Sequence, residues 1–350
     1  MGGVAQHPLS RPKRRLLRAV AATVALVALF YAFAGYLGSA DMFGDHRRWR
    51  GMNKGPRDFG LSGETVSFES VDGIHLNAWW LPASGKPRGA VVVAHGIDHT
   101  RQVMLPRAVF LVKGGYNVLL LDLRGHGESA GTIMSPGLLE ARDVLGGIRY
   151  IRSRGDNEPV VLLGVSYGAV ASLIAAAESP DVAAVISDGA FATGKQLSED
   201  ISRHYLRDSR TNFLVRSLFF VSTLPGVARA TELVYYLRSG IDPGPELLSV
   251  IPWSRRVAVP VLVISGERDW IVPQARARAI LSAFPGKRKQ LLIIPGAVHD
   301  TTYSTAPDLY GSTVVTFLGR YGSTSANTKP SRITTSPPRI VSGSEKTGAS

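Results

Sequence analysis

The chain has no cysteine. That excludes a disulfide framework, a thiolate metal site and a cysteine nucleophile, and it leaves the compartment open, since exported proteins also do without disulfides. Acidic residues are in short supply: 27 Asp and Glu stand against 40 Lys and Arg, a formal net charge of +13. Such an excess suggests a nucleic acid or an anionic membrane as partner. Much of it lies in the two termini, however, and no RNA- or DNA-binding motif is present, so membrane proximity is the better account. There are no internal repeats. At 350 residues the chain can bury a large core, as one sizeable α/β domain or two small ones.

Residues 19–38 carry no charge at all. Twenty apolar residues match the thickness of a bilayer core at ~1.5 Å per residue, which predicts a transmembrane helix. The flank at residues 1–18 holds Arg11, Lys13, Arg14, Arg15 and Arg18, which predicts a cytoplasmic N-terminus and a folded domain on the outer side. Arg47, Arg48 and Arg50 lie beyond the run and weigh against that orientation. The rival reading is an exported protein whose signal peptide is cleaved near Gly38-Ser39-Ala40. Residues 39–63 read as a linker and residues 321–350, rich in Ser, Thr, Pro and Gly, as a disordered tail.

Between them, residues 64–320 alternate strands with helices. Residues 64–68 and 74–81 alternate in polarity around Val71-Asp72-Gly73 and predict a hairpin. Residues 90–94, 118–121, 160–163, 183–187, 261–265 and 291–294 are apolar runs suited to buried parallel strands. Helical patterns fall at 101–113, 136–154 and 167–177. The expected architecture is a mostly parallel sheet covered by helices on both faces. The alternation is broken once, at about 190–256, by an insertion rich in Arg, Leu, Phe and Tyr that reads as a helical cap over the strand ends.

The chemistry centres on Gly164-Val165-Ser166-Tyr167-Gly168, with an apolar strand before it and an Ala-rich helix after it. In that setting Gly-x-Ser-x-Gly is a nucleophile elbow: a sharp turn projects the serine hydroxyl above the sheet edge, and the glycines leave room for the turn and the packed helix. The Tyr167 NH then points to where an oxyanion would form. A serine needs a base, and the base needs an orienting acid. His299 follows the last predicted strand in a glycine-containing loop. Asp269 follows the preceding strand, before a helix opened near Pro273. The order Ser166, Asp269, His299 is that of α/β hydrolases.

At these residues the chain resembles the α/β-hydrolase superfamily, over roughly residues 64–320. Two further features fit: His95-Gly96 after the first parallel strand, and Asp122-Leu123-Arg124-Gly125-His126-Gly127-Glu128-Ser129 after the next. The resemblance implies the Ile97 NH as second oxyanion donor, and an acyl-enzyme mechanism with no metal and no cofactor. In layout the chain is similar to single-pass, membrane-anchored serine hydrolases of the lysophospholipase and monoacylglycerol-lipase kind. That implies a small-molecule or lipid ester as substrate. Serine rather than aspartate at the nucleophile position argues against epoxide-hydrolase and dehalogenase chemistry.

Other readings stay open. Serine peptidases and acyltransferases use the same scaffold, and a non-catalytic membrane-anchored module would keep the fold without the reaction. Asp269 has the alternative role of capping the next helix. Asp188 is the second choice for the acid and Glu267 the third. His95, His126, Asp122 and Arg124 read as shaping glycine turns, and His99 shares the loop of His95. In the cap, Phe213, Phe219, Phe220, Tyr235 and Tyr236 read first as packing and second as an acyl pocket, and Arg203, Arg207, Arg210 and Arg216 as a solvated face. Oligomeric state has no signature in the sequence.

Overall fold

A computed structural model describes residues 11–43, 53–241 and 249–322. Eight strands form one sheet: β1 (Glu64–Glu69), β2 (His75–Leu81), β3 (Ala90–Ala94), β4 (Asn117–Leu121), β5 (Val160–Val165), β6 (Val182–Asp188), β7 (Val261–Gly266) and β8 (Lys289–Ile294). Their order is β1-β2-β4-β3-β5-β6-β7-β8. The β1–β2 and β2–β4 pairs are antiparallel and every other pair is parallel. The inner strands β3 to β7 bury every residue, while β1 at the edge alternates, as its polarity pattern requires.

Helices cover both faces. Strand period two divides β5 between them: Val160 and Leu162 join one core layer, Val161, Leu163 and Val165 the other. The first layer packs under α3 (Leu138–Ser153), α4 (Tyr167–Glu178) and α9 (Gln274–Ala283). The second packs under α2 (Leu105–Lys113) and α11 (Pro307–Tyr321). The pattern at 101–113 suggests one helix, but it divides into a 3-10 turn, Arg101–Met104, and α2. Pro106 lacks an NH and so belongs in a helix's first turn, which sets the break. The short helix α10 (Thr302–Thr305) precedes α11.

Between β6 and β7 lie α5 (Gly194–Arg207), α6 (Phe213–Ser222), α7 (Val227–Ser239) and α8 (Ile251–Ser254). Thr193 and Asn212 cap α5 and α6, their side chains accepting from the NH groups of Gln196 and Val215. The N-terminal helix α1 (Arg11–Ser39) takes in the basic flank as well as the apolar run. It is long and apolar enough to cross a membrane.

The expected linker is not free. Met134 NH donates to Met42 O, and Phe43 bridges to Ile133. Further on, Leu61 is buried among the side chains of the α2 layer. Sequence composition misses this docking because the partners lie far along the chain. The expected disordered tail lies outside the described residues from position 323 on.

Candidate active site

The glycine spacing around Ser166 has a steric cause. A Cβ on Gly164 would stand 2.1 Å from Gly168 O, and one on Gly168 would stand 2.5 Å from Ala94 O. Strand β5, helix α4 and strand β3 approach so closely that only hydrogen fits at both positions. Ser166 itself sits at φ 51, ψ −112, a strained conformation for a residue with a side chain. Its NH donates to Asp188 O at 2.7 Å, which ties the turn to the end of β6. Tyr167 begins α4, so its NH belongs to the helix end that has no acceptor within the helix.

The loops after β7 and β8 meet this turn. Ser166 Oγ lies 2.8 Å from Nε2 of His299, and His299 Nδ1 lies 2.7 Å from Oδ2 of Asp269. Those partners assign the tautomer: Nδ1–H donates to the carboxylate, leaving Nε2 to accept from the hydroxyl. The other oxygen of Asp269 accepts from the NH groups of Ile271 and Val272 at 3.0 and 2.7 Å. One oxygen of Asp269 thus faces His299 while the other ties its own loop, and the helix that starts at Gln274 has no side-chain cap, so Asp269 does not cap it. Glu267 accepts from Gly296 NH at 2.8 Å and pins the loop that carries His299. Burial lowers the pKa of His299, but the bond to Asp269 and the charges of Asp300, Asp269 and Asp188 outweigh it and leave it above the ordinary imidazole value.

Asp188, the second choice for the acid, does not reach the imidazole by a hydrogen bond. Its carboxylate accepts from Thr302 Oγ1 at 2.7 Å and pairs with Arg107 Nη2 at 3.3 Å. The guanidinium of Arg107 lies 5.2 and 5.3 Å from the rings of Tyr303 and Tyr310. This buried network holds the floor beneath the elbow. Arg107 was not identifiable from sequence, since it lies in an amphipathic helix with no local motif. Asp300 was also missed. Its φ is 60, and its Oδ1 is 3.5 Å from His299 Nε2. The only signal was its place beside His299. Asp98, Ser166 and Asp300 are the non-glycine residues with positive φ among the described residues.

The His95-Gly96 loop packs against the serine: a Cβ on Gly96 would be 3.4 Å from Ser166 Cβ. Ile97 follows Gly96 in this loop. His95 is wholly buried, accepting from Leu123 NH at Nε2 and contacting Gly96 O through Nδ1, and burial lowers its pKa to about 4. His126 likewise links Asp98 NH to Arg124 O. Both rings therefore tie loops together through backbone groups. Asp122 accepts from the backbone of Arg101 and Glu128, and a Cβ on Gly127 would overlap its carboxylate. Arg124 donates to Asp143 and Asp72.

A cleft of about 80 Å³ opens beside Ser166, lined by Gly96, His99, Val103, Arg107, Val165 and Asp300. A larger one of about 210 Å³ lies between β8 and α11, far from these groups. Over the Asp269 loop, Trp270 stacks on His204 of α5 at 3.8 Å, and Tyr205 stacks on Phe219 of α6 at 4.4 Å. Tyr235 is buried and donates to Met134 O. Phe213, Phe220 and Tyr236 face outward instead of lining a pocket. Among the described residues no cluster of His, Asp and Glu could hold a metal ion.

Known proteins resemble this chain in sequence and in fold. A family profile described as serine aminopeptidase, S33, matches residues 85–217. The uncharacterized protein YfhR of Escherichia coli K12 is 26% identical over 266 residues, spanning 73% of this chain and 81% of its own. The α/β-hydrolase domain-containing protein WAV2 of Arabidopsis thaliana is 23% identical, over 76% and 82% of the two chains. Among solved structures, the Pyrococcus furiosus esterase Pf2001 superposes with a TM-score of 0.61 at 22% identity, over 77% of this chain and 96% of its own. The Pyrococcus horikoshii acylaminoacyl peptidase gives 0.54 at 17%, over 74% and 41%.

Proposed function

Because this chain has the α/β-hydrolase fold, we propose that it is a serine hydrolase of carboxylic esters, tethered to a membrane by α1 and acting on small-molecule or lipid esters. The observation that carries the reading is the hydrogen-bonded chain from Ser166 through His299 to Asp269, built on a strained elbow.

The reaction runs in two halves. Ser166 Oγ attacks the ester carbonyl while His299 Nε2 takes its proton, and Asp269 steadies the imidazolium. The oxyanion is met by the NH groups of Tyr167 and Ile97, each such donor being worth roughly 3–4 kcal/mol of barrier. The bond to the leaving alcohol breaks and His299 gives that oxygen the proton. Water then attacks the acyl-enzyme, its proton passing to His299 and back to Ser166 Oγ as the acid departs. No step needs a metal or a cofactor.

Amide cleavage is the second reading, favoured by the serine aminopeptidase profile over residues 85–217. The test is labelling by a fluorophosphonate, which traps an activated serine, followed by turnover of p-nitrophenyl esters of graded chain length against aminoacyl p-nitroanilides. Label on the wild type that is lost in both Ser166→Ala and His299→Ala, with turnover of the esters, is the expected result. A folded wild type that takes no label overturns the assignment in favour of the scaffold reading, and preference for the anilides replaces esterase by peptidase.

A further inference from the structure

Helix α1 and the cap are locked in register. Tyr31 donates its hydroxyl hydrogen to Pro225 O at 2.8 Å. A Cβ on Gly35 would stand 2.5 Å from Ala230 O, and one on Gly38 would stand 2.5 Å from Thr231 Oγ1. At the far end Arg238 donates to Ser39 Oγ, and its guanidinium lies 3.8 Å from the ring of Phe43. The C-terminal part of α1 therefore runs alongside α7 in the same direction, with small residues letting the backbones touch.

Beside this seam the cap leaves apolar side chains bare. On α6, Phe213 is 80% and Leu214 78% exposed, with Leu218 and Phe220 also outside; on α7, Leu237 is 70% exposed and Leu233 lies beside it. The two helices meet at 81° and are together apolar enough to count as one broken span. We propose that α6 and α7 are inserted into the same lipid bilayer that α1 crosses, so that the cap as well as the anchor occupies the membrane's apolar layer. This rests on α1 being retained as the anchor.

Register sets the depth. A run at 19–38 fills a hydrocarbon core of ~30 Å with nothing to spare. Tyr31 precedes Gly38 by seven residues, so it lies about 10 Å inside that core. Pro225 is held at the level of Tyr31, and the corner between α6 and α7 goes down with it. If α1 spans, the corner has no way to stay in water.

The polar groups on these helices are arranged for such a medium. Ser217, Ser222, Thr223 and Thr231 all return their hydroxyls to carbonyls of their own helices. Arg216 donates to Leu206 O and Arg229 pairs with Glu232 at 2.7 Å; both arginines are exposed, and in the inserted cap their long stems must carry the charge to the headgroups. Arg238 sits at the level of Ser39, where the apolar run ends and a cation reaches the interface.

The absence of native cysteine makes the test direct. Leu218→Cys, Leu237→Cys, Val27→Cys on α1 and Lys287→Cys at an exposed turn remote from the cap each receive a nitrobenzoxadiazole label on the full chain in phosphatidylcholine vesicles. Labels at 218, 237 and 27 should emit blue-shifted and lose fluorescence to doxyl lipid rather than to aqueous iodide, with 287 behaving in the opposite way. Labels at 218 and 237 quenched by iodide, while 27 is quenched by lipid, would put the cap in water and overturn the proposal. Labels shielded from both quenchers would mean a second copy or another protein covers the face, and overturn it too. A water-exposed 27 removes the anchor, and the proposal with it. That outcome is separate from loss of fluorophosphonate labelling, which bears on the hydrolase reading alone.

Discussion

Asp300 Oδ1 lies 3.5 Å from Nε2 of His299, the same nitrogen that faces Ser166 Oγ at 2.8 Å. A carboxylate so placed favours the protonated ring, and its charge is among the causes that raise the pKa of His299 above the usual value. The base works only when neutral, so kcat/KM should rise with pH along a limb centred above 6.5, the ordinary value for His. Asp300→Asn removes the charge and keeps the shape, so the limb should move to lower pH. A pH profile of ester hydrolysis for the two proteins checks this, and superimposable profiles would show that Asp300 does not act on the base.

Asp269 is engaged through both oxygens, one to His299 and one to two backbone NH groups. In Asp269→Asn the carbonyl oxygen can serve the backbone pair, which leaves the amide nitrogen facing Nδ1. That arrangement imposes the wrong imidazole tautomer, with the proton on the nitrogen that should accept from Ser166. A fall in kcat of about 10⁴-fold is expected, with thermal stability little changed. Steady-state kinetics beside a melting curve would separate this from unfolding, and near-wild-type kcat would remove Asp269 from the mechanism.

Arg107 is the sole cation paired with Asp188 among the described residues, and both are buried. Arg107→Met should leave a carboxylate uncompensated beneath the elbow and cost about 3–5 kcal/mol of stability. Asp188→Asn in the same chain should recover part of the loss, since the stranded charge is then gone. Urea denaturation of the single and double variants measures it, and equal losses in the two would mean that the charge is not the cause.

The elbow was legible because its constraint is local: two glycines and a serine within five residues, an apolar strand before them and an Ala-rich helix after. Asp269 and His299 stood out because each follows a run that is mostly apolar, Val261–Gly266 and the end of Lys289–Ile294, so their loops had to end at one sheet edge. Arg107 and Asp188 lie 81 residues apart and meet only through the sheet's crossovers, and no window of sequence joins them. The same holds for Gly35 and Ala230. In sequence the glycine looks like a mild defect in an anchor, and its reason appears only when α7 is alongside.

That last pair separates a tether from a built-in helix. Leucine at position 35 or 38 improves α1 as a membrane span, since it adds apolar surface and gains about 1 kcal/mol of helix propensity over glycine. A free anchor would therefore tolerate Gly35→Leu and Gly38→Leu or be strengthened by them. Here a side chain at 35 meets the backbone of Ala230, which cannot turn aside, whereas one at 38 meets the side chain of Thr231. Gly35→Leu should push α1 off α7, lower the melting temperature of the detergent-solubilised full chain and open the bonds after Arg229 and Arg238 to trypsin. Gly38→Leu should do the same to a smaller degree, because Thr231 can rotate. Unchanged melting and proteolysis in both variants would make α1 a passive tether, and would remove the register that sets the depth of the cap.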